Sequence, residues 1–400
     1  MHREIELTYS VPHLTFEATT SAWLTATNAA GKLNEYLGED IGLDGDSAGR
    51  FLLYLLAGYT NWVTTYYSHE LAHTHYARMS GREYDFWLDF RDWTLMTPAF
   101  QSKTAADETP EKNSEYDLYS AMSGIVQQKL NAREIFKRNI SQDAIAYDLG
   151  LACLFNNAAD IIYILAQAAI DPDLFRQAAY YDPNLSYRSD VDIYLDQVND
   201  GLQQDISRGE WALTSFAAMA LSAHTFDSIA ASVRYLANGD RTSAPVSLAA
   251  GNARFYPPNF QVLPHPEGLF INGMFPAHNL LGLDETLYLE YGRVNRSEVD
   301  GNRVGLQIDD INFFHGLPKQ PFAITQSFGF STTLGRERIG FSSDMGFNFW
   351  FFSRIGIRLL SRYSNGDMLY NDILAKGIER QADSTNRRAM EVFTTGVLRF

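Results

Sequence analysis

The sequence predicts an α+β fold: an antiparallel β-barrel of about eight strands, interrupted after its first strand by a large, mostly α-helical insertion. Two observations carry this expectation. From about residue 243 onward, large apolar residues alternate with small or polar ones over long runs, whereas residues 20–240 are mostly helical in pattern. Before the helices stands an extended segment, REIELTYSVPHLTFEA at 3–18, rich in β-branched and aromatic residues and available to pair with the last strand.

The chain accordingly divides into an N-terminal strand (1–20), a helical region (21–242) and barrel strands (243–400). Three stretches of the helical region are unusually apolar: 51–68, 145–170 and 211–237. The first is uncharged for 18 residues, the lower limit for a membrane-spanning helix. It also carries Thr60, Asn61, Thr64, Thr65 and Ser68; the second contains Asp148 and Asp160, and the third His224 and Asp227. A buried core helix accommodates all three equally well. Residues 101–118 read as a polar loop or lid, and 172–210, with DPDLF and DPNLSYRSD, as short helices and turns on the surface. The single cysteine, Cys153, excludes an internal disulfide and a cysteine-rich metal site, and in its apolar helix it reads as a buried structural thiol.

The strand region is expected near 267–276, 285–294, 303–314, 322–334, 338–352, 354–363 and 389–400, with 4–17 completing an even number able to close a small barrel. In RIGFSSDMGFNFWFF (338–352), Ile339, Phe341, Met345, Phe347, Phe349 and Phe351 oppose Gly340, Ser342, Asp344, Gly346 and Asn348. In FAITQSFGFSTTLG (322–335), Phe322, Ile324, Phe328 and Phe330 oppose Ala323, Thr325, Ser327, Gly329 and Ser331. One greasy face and one small polar face suit a strand with lipid outside and a lumen inside. A soluble β-sandwich with an aromatic core is the alternative. Strand length and aromatics crowded at strand ends favour the barrel. The final strand, VFTTGVLRF, ends in Phe400 with Leu398 and Val392 on its face, and resembles the C-terminal signature of bacterial outer-membrane barrel proteins.

A formal charge of −16 and a pI near 5.0 argue against a nucleic-acid partner. The opening MHREIELTYS carries charges where a signal peptide needs an apolar run, so either the protein stays in the cytoplasm or the chain is a mature form with Met1 added, and the C-terminal segment favours the second. The expected location is the bacterial outer membrane, with the lipid bilayer as partner. Nothing in the sequence indicates an oligomeric state.

The chemistry is concentrated in YYSHELAHTHYARMSG (66–81). His69 and His73 lie one helical turn apart, so both imidazoles leave the same face and can supply adjacent corners of a tetrahedral Zn²⁺ site. Glu70 is placed to act as general base on a metal-bound water. His75 projects from nearly the opposite face and is read as incidental. Arg78 and Gly81 end the helix.

With Ala77 and Gly81 at their places, HELAHTHYARMSG fits HExxHxxxAxxxG and resembles the active-site helix of the site-2 protease family of intramembrane zinc metallopeptidases. The resemblance implies peptide-bond hydrolysis of a polypeptide substrate and an aspartate as third ligand from a later apolar helix. The family's Asn-Pro-Asp-Gly-type motif is missing here, and LFNNAADIIYIL (154–165) is its nearest substitute, making Asp160 the expected third ligand. Asn156 and Asn157 could donate hydrogen bonds to substrate carbonyls or serve as packing groups. His224 is the rival third ligand, with Asp227 as an orienting carboxylate, and Glu108, Glu111 and Glu115 rank lower. Two other readings stay open: a non-enzymatic outer-membrane channel or binding protein with a helical plug, and an inner-membrane site-2-type protease with a β appendage.

Overall fold

The computed structural model describes residues 4–11, 16–79, 84–94, 97–104, 114–169, 190–202, 205–265, 268–282, 285–294, 302–312, 322–333, 338–351, 355–364 and 389–399. Over these residues the chain is a mixed α+β structure, a helical body packed on one face of an antiparallel sheet. Strand β1 (Glu4–Val11) is followed by α1 (Phe16–Glu39), a 3-10 turn (Leu43–Gly45) and the long α2 (Ser47–Met79). Next come the hairpin β2 (Tyr84–Thr94) and β3 (Thr97–Thr104), α3 (Ser114–Ser141), β4 (Ile145–Ala146) and α4 (Tyr147–Ala169). Helices α5 (Asp190–Leu202), α6 (Arg208–Leu221) and α7 (Ala223–Asn238) complete the body.

The remaining strands are β5 (Thr242–Ser243), which pairs with β4, then β6 (Leu248–Ala250), β7 (Ala253–Phe255), β8 (Asn259–His265) and β9 (Gly268–His278). They are followed by β10 (Thr286–Val294), β11 (Asn302–Asn312), β12 (Phe322–Thr333), β13 (Arg338–Phe351), β14 (Ile355–Ser364) and β15 (Ala389–Arg399). Strands β9 to β15 pair in sequence order, and β1 pairs with β15 from Glu4↔Arg399 to Val11↔Val392, as the sequence led us to expect. The expected closure differs. Eight strands would close if β9 met β1, but among the described residues the far edge of β9 carries β8 and β7. The described sheet is therefore open.

Two other expectations are corrected. Residues 84–100 were expected within a mostly helical region and 101–104 in a polar loop, and together they form a hairpin, because Phe86, Leu88 and Phe90 alternate with Asp85, Trp87 and Asp89 at a strand's period. Residues 172–210 were expected at the surface. Those of α5 are instead central: Val191, Tyr194, Leu195 and Val198 are buried with Trp211, Val262 and Phe270 in the largest apolar cluster. Of the expected lid, 105–113 lies outside the described residues.

The orientation of the sheet decides the rest. Along β10, Thr286, Tyr288, Glu290, Gly292 and Val294 are buried against the helices while Leu289, Tyr291 and Arg293 are exposed. Leu306 on β11 and Ile355, Ile357 and Leu359 on β14 are exposed as well, while Gly305 and Gly356 between them are buried. The polar face is turned inward and meets α3. Arg133 forms a bidentate pair with Glu290 and donates to Gln307 Oε1 (3.1 Å), and Lys137 Nζ lies 2.6 Å from Asp309 Oδ2.

Inside the body, α4 is the one described helix apolar enough over Tyr147–Leu165 to cross a membrane by composition, and most of that stretch is buried in the protein. Cys153 is buried there, as expected, with its thiol 3.6 Å from the Ala132 carbonyl.

Removing one member of a buried ion pair leaves the other charged and desolvated. Glu290→Ala is expected to cost about 3–5 kcal/mol, read as a lowered denaturant midpoint of the full chain in detergent. Arg133→Met combined with Glu290→Leu is expected to recover most of that loss.

Candidate metal centre

Helix α2 runs unbroken from Ser47 to Met79 and carries His69 and His73 on its inner face, 5% and 7% exposed. Their rings meet edge to face with centroids 4.8 Å apart. Asp190, the first residue of α5, places Oδ2 3.1 Å from His69 Nε2 and 3.2 Å from His73 Nε2. The ligand-type atoms of these three residues all lie within 4.8 Å of one another. A tetrahedral ion with bonds of about 2.0–2.1 Å separates its ligand atoms by roughly 3.3 Å. The two nitrogens and the carboxylate oxygen have the donor chemistry of a three-ligand site, and both nitrogen–oxygen separations match its spacing.

Helix α3 holds the imidazoles in place. Ser123 Oγ lies 3.0 Å from His73 Nδ1, which engages that nitrogen and leaves Nε2 for Asp190. Gly124 lets α3 approach His69: an added Cβ there would sit 2.5 Å from ring atoms Cε1 and Nε2. Immediately before His69 on α2, Ser68 Oγ accepts from Asn131 at 3.0 Å, a second tie between this stretch of α2 and α3.

Burial works to raise the pKa of the Asp190 carboxyl, but the His73 and His69 imidazoles outweigh it and hold the group well below the usual carboxylate range. It is an anion at the point where the two nitrogens converge. Glu70 is half-buried beside this centre and interacts electrostatically with His69, His73 and Asp190.

The carboxylate beside the two histidines is Asp190, and Asp160 is placed elsewhere. Asp160 is fully buried and accepts from Lys129 Nζ (2.7 Å), Trp211 Nε1 (2.9 Å) and Ser215 Oγ (2.6 Å). Its neighbours tie the helices together too: Asn156 donates to Thr65 Oγ1 at 2.9 Å, and Asn157 Oδ1 accepts from Gln261 at 2.9 Å. His224 Nε2 lies 3.2 Å from Asn139 Nδ2, and its ring packs on Phe136. Asp227, read from the sequence as its orienting partner, accepts from the Val246 backbone instead. Glu108 and Glu111 lie outside the described residues, as do the side chains of His75 and Glu115.

Asp190 left only a faint signal in the sequence. It opens DVDIYLDQV, immediately before Val191, Tyr194, Leu195 and Val198, so it starts a helix whose apolar face is buried. No protein-family description, curated protein or solved structure matches the chain.

The two aspartates separate in one experiment. Asp190→Asn is expected to abolish stoichiometric Zn²⁺ uptake by the purified full chain. Asp160→Asn should retain the ion and lower thermal stability, because Lys129 loses its buried carboxylate. Ser123→Ala is expected to weaken Zn²⁺ binding by about 10–100-fold, measured by competition with a chromogenic chelator.

Proposed function

We propose that the chain is a zinc-dependent metallopeptidase of a bacterial outer membrane, acting on a polypeptide substrate. The observation that carries the proposal is the convergence of His69 Nε2, His73 Nε2 and Asp190 Oδ2, with Glu70 beside them. The resemblance to site-2 proteases belongs to the same reading, and an aspartate as third ligand is what that resemblance implies. The apolar outer face of the strands supports the outer-membrane placement, with β1 and β9–β15 forming the wall of an outer-membrane-type barrel.

A zinc ion held by the three residues would supply a Lewis acid and lower the pKa of its water toward about 7. The chain's own groups do the rest. Glu70 takes the proton from the attacking water and passes it to the leaving amine. Asp190 supplies the anion of the ligand set, and Ser123 keeps His73 turned so that Nε2 faces it.

A second reading, a non-enzymatic barrel with a helical plug, is favoured by the ion pairs of α3 with the inner sheet face. Elemental analysis and turnover separate the two. The peptidase should contain about one zinc per chain. Glu70→Gln should keep that zinc and lose about 10²–10⁴-fold in hydrolysis of an unfolded polypeptide. Zinc binding with hydrolysis unchanged by Glu70→Gln would overturn the assignment of Glu70, and zinc without hydrolysis would leave the plugged barrel.

A further inference from the structure

The described sheet is open, yet an open sheet edge is not tolerated in lipid, where no water satisfies its N–H and C=O groups. Helices lie along two of its edge strands, while the short β6, at the end of the path, is exposed at Leu248, Ala249 and Ala250. Along β1 lies α1, and along β8 lies α6. At the second edge the cover is chemical as well as steric. Ser222, the junction between α6 and α7, accepts from the Phe260 backbone N–H at 2.7 Å, and its one hydroxyl proton is shared between the Ala218 carbonyl at 2.8 Å and the Phe260 carbonyl at 3.1 Å. The two Phe260 groups are backbone groups that a further strand would otherwise take. From β1 the contacts pass through α1, α2, α7 and α6 to β8, completing a circuit with the sheet around α3, α4 and α5.

The helices of this circuit have inverted polarity. On α1 the exposed positions from 22 to 36 are Ala22, Ala26, Ala29, Leu33 and Tyr36, while Thr27, Asn28 and Asn34 are buried. On α2, Phe51, Leu52, Leu55 and Tyr59 are exposed, and Asn61, Thr65 and Ser68 are buried. Helix α6 exposes Leu213, Phe216 and Leu221 and buries Ser215; α7 exposes Phe226, Ile229 and Val233 and buries His224, Ser228 and Ser232. A water-facing helix shows the opposite arrangement. The sheet carries the same inversion, with Leu289, Ile355 and Ile357 outward and Glu290 inward. Charges gather toward one end of α1, α2 and α7, where Arg241 pairs with Asp44 and Glu39 and Arg50 donates to the Leu236 carbonyl, and Arg234 is exposed in the last part of the α7 stripe.

We propose that α1, the N-terminal half of α2, α6 and α7 form the lipid-facing segment that completes the wall of the barrel, so that helices rather than a β9–β1 pairing close the circuit. The occupant of the apolar helix faces is the acyl chains of the same bilayer that covers the sheet. The inference rests on the membrane reading of the sheet and extends it. It also accounts for why these helices fall short of the composition of membrane spans: each mixes polar residues into its inner face beside core residues such as Trp23, Leu53, Trp211 and Tyr235.

The test uses the full chain reconstituted in phospholipid vesicles, with Cys153→Ser as background. Single cysteines are placed at Leu55, Phe216 and Val233 on the helices and at Leu289 and Ile357 on the sheet, and each is spin-labelled. Collisions with oxygen, which concentrates in lipid, are compared with collisions with a water-soluble nickel chelate. The expected result is that helix and sheet labels alike lose collision with the chelate and keep it with oxygen. Helix labels that meet the chelate while sheet labels do not would overturn the helical wall and leave the membrane reading standing. Labels at all five sites that meet the chelate would overturn both. Helix labels shielded from both reagents would mean a protein partner or a second copy on that face, and would also overturn the proposal. Should labelled variants fail to insert, the wild-type chain in vesicles carrying a photoactivatable acyl chain gives the same answer: crosslinks on 208–238 support the wall, and crosslinks confined to strand peptides overturn it.

Discussion

Helix α3 carries charge into the middle of the protein, and both the helices and the sheet supply partners for it. Lys129, Arg133 and Lys137 stand four residues apart, one turn each, and their partners are Asp160 on α4, Glu290 on β10 and Asp309 on β11. Desolvated charges are tolerated only when each finds its counterion, so the row fixes how far α3 can slide or rotate against both the helices and the sheet. Greasy contacts alone would allow several registers. Apolar packing then fills the space between these pairs, as with Phe136 and Ile140 against Tyr256, Met274 and Tyr288.

The candidate metal centre depends on the same helix. Ser123 and Gly124 lie about one turn before the charged row, so the position of α3 sets both the hydroxyl at His73 and the clearance for the His69 ring. Asp190 reaches the pair because α5 is buried in the main cluster, with Tyr194 donating to the His265 carbonyl at 2.9 Å. Three separate helices therefore meet at two imidazole nitrogens and one oxygen. None of them holds the site by itself.

Much of this was legible in the sequence where the signal is local. Period-two runs located β9 to β15 to within a few residues, and the lone N-terminal strand pairs with β15 as its isolation implied. The HExxH spacing put His69 and His73 on one face. Asp190 was illegible because it is joined to the histidines only by the packing of α5, more than a hundred residues further on. Asp160 drew the assignment instead, since an aspartate in an apolar helix announces that it needs a partner without saying whether that partner is a metal or, as here, Lys129. The helix faces were hidden for a different reason. An inverted amphipathic helix has the same average hydropathy and the same period as an ordinary one, and only the exposure of Leu213 or Val233 beside the burial of Ser215 or Ser232 tells them apart.

The pairing of β1 with β15 joins strands from opposite ends of the described chain. Contacts between such distant segments form late, because their loop-closure entropy is met only once the intervening parts are ordered. Until then α1 and α2 have no sheet edge to lie along, and β15 presents a bare row of backbone groups. The protein is in effect a clasp: one seam of eight paired residues fastens its first described segment to its last.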